Sequence, residues 1–112
     1  NPLASRLTIE SINIIKEEKL VENAERLGKI FRQRMRAIQS PIIDFVRGKG
    51  LFNAIVLKSG VEGYAICVAL MENGLLAKQT HGRIIRFAPP LVMTEQQLNA
   101  CCEIIENTFR EL

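Results

Sequence analysis

Apolar side chains recur along this chain with two different periods. Leu20, Ala24, Leu27, Phe31, Met35 and Ile38 follow one another at three- and four-residue steps. That spacing lays a single stripe along a helix, with Glu and Arg filling the other side. The pattern predicts a helix from Leu20 to about Gln39, and Ser40-Pro41 ends it, since the residue before a proline is pushed out of the helical region. Asn1-Pro2 reads as an earlier helix start: a capping side chain, then a proline whose missing N–H costs nothing in the first turn. The helix it opens, to about Glu18, carries Leu3, Leu7, Ile12, Ile14 and Ile15. These residues occupy more than one stripe, which suits a helix covered on two sides.

Beyond Pro41 the period shortens. Ile42–Lys49 and Leu51–Lys58 read as two strands joined at Gly48-Lys49-Gly50, a hairpin connection with positive φ angles. Ser59-Gly60 is a turn. A third helix is predicted from about Glu62 to Asn73, closed by the left-handed pair Asn73-Gly74. Leu75–Lys78 reads as a short strand, Gln79-Thr80-His81-Gly82 as a loop and Arg83–Ala88 as a fourth strand. Thr94-Glu95-Gln96-Gln97 is a capping box. It opens a last helix with Leu98, Cys102, Ile105, Phe109 and Leu112 on one stripe. The order helix, helix, strand, strand, helix, strand, strand, helix predicts an α+β domain. Its small, antiparallel-rich sheet has about four strands, with helices packed on one face.

The fourth strand carries the main chemical clue. In Arg83-Ile84-Ile85-Arg86-Phe87-Ala88-Pro89-Pro90, alternation places Ile85 and Phe87 on one face and Ile84, Arg86 and Ala88 on the other. Arg86 thus stands among apolar neighbours, where an unpaired charge costs several kcal/mol. It needs a carboxylate, from the protein or from a ligand. Pro89 and Pro90 cannot donate to a ladder and stop the strand.

Composition narrows the field. At 112 residues the chain fits one domain with a modest core. No apolar run is long enough to span a membrane, and no signal segment is visible at the start. The net charge of +3 is mild. Its densest cluster, Lys29, Arg32, Arg34 and Arg36, lies towards a helix C-terminus, where cations are favoured, and reads as a solvated face rather than a nucleic-acid patch. One Tyr, five Phe and no Trp offer no stacking platform for single strands. Cys67, Cys101 and Cys102 lack paired spacing and, with one His, cannot make a four-ligand metal site. Buried free thiols are the simplest reading.

Five blocks occur in order: Asn1-Pro2-Leu3, Val46-Arg47-Gly48-Lys49-Gly50-Leu51, Gly74-Leu75-Leu76-Ala77-Lys78, Thr80-His81-Gly82 and Ile84–Leu91. Together they resemble the C-terminal domain of the class III, fold-type I, pyridoxal-phosphate-dependent aminotransferases, most closely the ornithine branch. The resemblance implies a two-domain enzyme of which residues 1–112 are the small domain, with 1–18 a helix linking to the large one. It implies transfer of the ornithine δ-amino group to 2-oxoglutarate, giving glutamate semialdehyde and glutamate. The pyridoxal phosphate would be held by the large domain, whose lysine, aspartate and phosphate-binding threonine would precede Asn1. No catalytic, cofactor-binding or metal residue is then expected in this segment, which alone should be inactive. The implied partners are the large domain, a second copy in a homodimer or higher oligomer, and small amino and keto acids, with no nucleic acid or membrane. The implied location is the mitochondrial matrix or the cytoplasm, not the exterior.

On this resemblance Arg86 is the arginine that grips a substrate carboxylate, alternating with a glutamate of the large domain. The chain departs from the family pattern at Gln79, where proline is common, and at Arg83, where an acid is common. Lys49 and Lys78 match no cofactor lysine. His81 has no acidic or thiol partner in sequence and reads as a turn residue. Arg47 reads as a salt-bridge residue towards the large domain before it reads as a substrate contact. The alternatives are the small domain of an acetylornithine or 4-aminobutyrate aminotransferase, or a free-standing α+β binding module. The first helix discriminates: an independent module should bury Leu3, Leu7, Ile12 and Ile15, whereas a domain torn from a partner leaves them exposed.

Overall fold

The computed structural model describes residues 1–112, the whole sequence. Four helices and four strands follow in the predicted order: α1 (Pro2–Glu17), α2 (Leu20–Arg36), β1 (Ile43–Lys49), β2 (Phe52–Leu57), α3 (Gly63–Glu72), β3 (Lys78–Thr80), β4 (Ile84–Phe87) and α4 (Glu95–Glu111). The strands form one sheet in the order β1-β2-β4-β3, antiparallel throughout. No helix is long and apolar enough to cross a membrane.

The local signals act as their chemistry requires. Asn1 Oδ1 accepts from the N–H groups of Leu3 and Ala4. In the capping box Thr94 Oγ1 accepts from Gln97 N–H, and Gln97 Oε1 accepts from Thr94 N–H. After α3, Gly74 takes φ 98°. Gly74 N–H then reaches the Met71 carbonyl, and Leu75 N–H reaches that of Leu70. These two bonds make a Schellman cap, which needs the glycine's left-handed backbone.

Register assigns the two faces of the sheet. Val46, Ile55 and Ile85 are ladder neighbours, as are Gly48, Asn53 and Phe87. Val46, Ile55, Leu57, Ile85 and Phe87 join Leu27, Phe31 and Met35 of α2, Ile66 and Leu70 of α3, and Leu98, Cys102, Ile105 and Phe109 of α4 in one cluster. The helices therefore lie on this face. The opposite face carries Phe45, Arg47, Ala54, Val56, Ile84, Arg86, Lys78 and Thr80, and no helix covers it. Helix α2 comes very close to the β1–β2 hairpin. A Cβ on Gly28 would lie 2.0 Å from the Gly50 carbonyl oxygen, so only glycine fits there.

Four expectations need correction. Helix α2 ends at Arg36, short of Gln39, because the Ile38 N–H turns to the Met35 carbonyl three residues back and the four-residue ladder stops. The third strand is Lys78–Thr80, not Leu75–Lys78, because Leu75 is used in the helix cap. On α4, Thr108 replaces Leu112 inside, accepting from Asn73 Nδ2 at 2.8 Å and donating to the Ile104 carbonyl. The basic cluster of α2 is solvated at Lys29 and Arg36, as expected, but its arginines are also tied to the rest of the fold. Arg32 donates to Gly50 O and Asn53 Oδ1, Arg34 to Glu106 and Asn99, and Arg36 to Val46 O.

Helix α1 buries none of its residues. Leu3 is 69% exposed and Leu7 59%, and Ile9, Ile12 and Ile14 are also exposed. The helix projects from a molecule 50 × 28 × 23 Å across. Covering on two sides, suggested by its apolar spread, does not come from this chain.

Candidate substrate-facing sheet surface

Arg86 lies in the middle of β4, paired with Ala54 of β2 on one side and with Lys78 of β3 on the other. Its strand is fixed by Ile85 and Phe87, which plug into the core from the other face. The arginine consequently points to the uncovered surface. It is half-buried there and makes no hydrogen bond or ion pair within the chain. Its guanidinium carbon stands 5.8 Å from the centre of the Phe52 ring, within cation–π range. An aromatic face holds a guanidinium in place while leaving its N–H fork free for an oxyanion.

A concavity of about 410 Å³ opens beside it, lined among others by Arg47, Lys49, Phe52, Thr80, His81 and Arg86. The structure thus gathers Arg47, Lys49 and His81 around Arg86. Lys78 borders Arg86 on the ladder but does not line the concavity. Phe52, whose only sequence signal was its neighbourhood in an apolar strand, is the residue that sequence reasoning missed.

The loop between β3 and β4 shapes the rim. His81 takes the left-handed φ of 55°. Its side chain has no hydrogen-bond partner, which fits a turn residue rather than a general base, for which an orienting group is needed. Gln79 Oε1 accepts from Gly82 N–H at 2.9 Å, a bond that the side chain of a proline could not make. Gly82 O in turn accepts from Gly63 N–H at the start of α3, and a Cβ on Gly63 would sit 2.6 Å from that oxygen. Arg83 Nη1 donates to Leu57 O at 3.3 Å. Both departures from the family pattern are therefore occupied in holding this loop.

The thiols stand apart from this surface. Cys102 is fully buried, and burial pushes its thiol up to about 11, while Cys67 and Cys101 are half-buried and raised for the same reason. Only Cys102 meets the expectation of a buried thiol. No group of His, Cys, Asp and Glu is arranged to hold a metal ion.

The family model for class-III aminotransferases matches residues 1–109. The chain belongs to that family. Over its whole length it is 48% identical to an ornithine aminotransferase of Emericella nidulans, and over 97% of it 45% identical to a mitochondrial ornithine aminotransferase of Drosophila melanogaster. It spans 26% and 25% of the length of those relatives. Among solved structures, an acetylornithine aminotransferase from Elizabethkingia anophelis superposes with a TM-score of 0.95 at 47% identity, covering all of this chain and 29% of that one. An ornithine aminotransferase from Plasmodium yoelii gives 0.93 at 43%, covering 99% and 30%.

Class-III aminotransferases use pyridoxal phosphate. The residues present here do not make a site for it. Lys49 and Lys78 are exposed, and the one acid of the strands, Asp44, lies at the β1 bulge and does not line the concavity, so nothing there pairs a pyridine nitrogen. What the surface does offer is an arginine with no partner in the chain, held beside Phe52.

Proposed function

We propose that this chain is the small, substrate-facing domain of an ornithine aminotransferase. The reaction would move the δ-amino group of ornithine to 2-oxoglutarate, giving glutamate semialdehyde and glutamate. The observation that carries this reading is Arg86, an unpartnered arginine steadied by Phe52, in a chain whose similar relatives are ornithine aminotransferases. Pyridoxal phosphate, bound by the rest of the enzyme, supplies the electron sink. Arg86 would supply position: its planar fork suits a substrate carboxylate held by two parallel bonds, which would orient the amino or keto acid on this surface.

The exposed apolar surface of α1 supports a second element of the reading. A free-standing module would bury it, so we assign it to contact with the large domain and, in the oligomer, with a second subunit. Relatives from Drosophila melanogaster and Rattus norvegicus are named mitochondrial, and we place this enzyme in the mitochondrial matrix or the cytoplasm.

In the full-length enzyme, Arg86→Lys keeps the charge but loses the fork. It should lower kcat/KM for glutamate and 2-oxoglutarate by ~1–3 kcal/mol, the scale of charge-assisted hydrogen bonds. Unchanged kinetics with both acids would reject the role. The superposition on the acetylornithine enzyme favours one second reading, an acetylornithine aminotransferase. Comparing turnover of ornithine with that of its N-acetyl derivative decides between them.

A further inference from the structure

The chain has nine arginines, and seven of them are bonded to its own atoms. Arg6 pairs with Glu10, Arg26 with Glu95, Arg32 with Asn53 and Arg34 with Glu106. Arg36 reaches Val46 O, Arg83 reaches Leu57 O and Arg110 reaches Asn107. The two left over are Arg47 and Arg86. They lie on the same uncovered face, in the same cross-strand row, on either side of Ala54. Two strand spacings put their backbones about 10 Å apart. Ala54 is the smallest side chain the row could carry short of glycine, so the space between the two guanidiniums stays open, and both line the same concavity.

Lys78 extends the row, directly opposite Arg86. Like charges at facing ladder positions repel; the one acid in the four strands, Asp44, sits at the bulge of β1 outside the ladder pairs and makes no ion pair with any of the three. A row of three cations without a counter-charge is stabilised when an anion arrives.

We propose that Arg47 is a second substrate-facing cation, which with Arg86 makes this surface select a dianionic keto acid over a cationic amino donor. The inference rests on the reading of Arg86 as a carboxylate site. At working pH 2-oxoglutarate carries two negative charges, whereas ornithine carries a net positive one. The field of Arg47 therefore attracts one substrate and repels the other.

The test is steady-state kinetics of the full-length enzyme, with kcat/KM measured separately for each substrate over a salt series. A unit charge about 10 Å from a dianion in a water-like dielectric changes its binding about threefold at ~0.01 M salt and about 1.5-fold at ~0.15 M. Arg47→Gln should lower kcat/KM for 2-oxoglutarate by those factors. The value for ornithine should rise by about 1.7-fold at the lower salt. Arg47→Lys should restore both, and Arg47→Gln combined with Lys78→Gln should reach about tenfold for the keto acid at low salt. A loss that is equal for both substrates, independent of salt and accompanied by a lower melting temperature would overturn the proposal, because Arg47 would then be holding a carboxylate of the protein. Arg86→Lys separates the two readings. If it leaves both acids unaffected, the carboxylate site itself fails; if it impairs them while Arg47→Gln acts on both substrates alike, only the selector fails.

Discussion

Asn53 offers a stringent test of how this fold is held together. It is 3% exposed, in the central strand β2, at a position where an aliphatic residue would be ordinary. Its Oδ1 accepts from Arg32 Nη1 at 2.7 Å, and its Nδ2 donates to Gly50 O at 3.1 Å. Arg32 also donates to Gly50 O at 3.0 Å. The two Arg32 bonds tie α2 to the β1–β2 hairpin where Gly28 lets the two approach, and the third braces the hairpin itself. Asn53→Ala removes the bond to a charged donor, worth ~1.5–3 kcal/mol, and a neutral one worth ~1. Arg32 keeps Gly50 O, which limits the penalty of stranding its charge, so a loss of about 2–4 kcal/mol is expected. For a domain of this size 1 kcal/mol moves the midpoint by about 4 °C, giving a drop of about 8–16 °C. Thermal unfolding followed by circular dichroism measures it. A double-mutant cycle with Arg32→Met should return a coupling energy above ~1 kcal/mol. A midpoint within 2 °C of the parent, or a zero coupling, would refute the account of this contact.

Three further outcomes follow from the same structure. Leu7→Asp, on exposed α1, should change stability by less than ~0.5 kcal/mol, whereas Leu27→Ala in the core should cost ~2–5 kcal/mol; equal losses in denaturant titrations would mean that α1 is packed. Burial raises the Cys102 thiol from 9.0 to about 11. The unfolded chain therefore ionises first, so the contribution of this group is complete below pH 9 and lost as pH rises towards 11. Cys102→Ala should flatten that decline in a pH series of unfolding midpoints. Finally, mixing this 112-residue chain with substoichiometric pyridoxal phosphate and then borohydride should label Lys49 and Lys78 no more than the other exposed lysines by mass spectrometry, and a selective, saturable adduct at either would contradict the absence of a cofactor site.

Much of the fold was legible because its signals are local. The Asn1 cap, the Thr94–Gln97 box and the Asn73-Gly74 stop each involve residues within five positions of one another, and all three are formed. The failures came where partners are distant. Leu75-Leu76 has the apolar look of a strand, yet Leu76 is 84% exposed and pairing begins at Lys78, because the ladder is chosen by the facing residues Ile84–Arg86. Arg32, Arg34 and Arg36 look alike in sequence. Their acceptors lie at residues 46, 50, 53, 99 and 106, which no periodicity in α2 could reveal.

The same division explains why the site was half visible. Arg86 stood out because a charge within an apolar strand breaks a local rule, and such breaks gather at functional positions. Arg47 broke no rule: at an edge strand, before a glycine turn, a cation is ordinary and helps to keep the edge from pairing with another chain. It acquires meaning only from the register, which puts it one Ala54 away from Arg86, and from the inventory of bonds that accounts for every other arginine. A helix-covered face with aliphatic ladders and a bare face with a cationic row are two products of one alternation. The first is stable without anything else. The second, together with the bare apolar α1, is the surface on which the proposals for a carboxylate site and a protein contact rest.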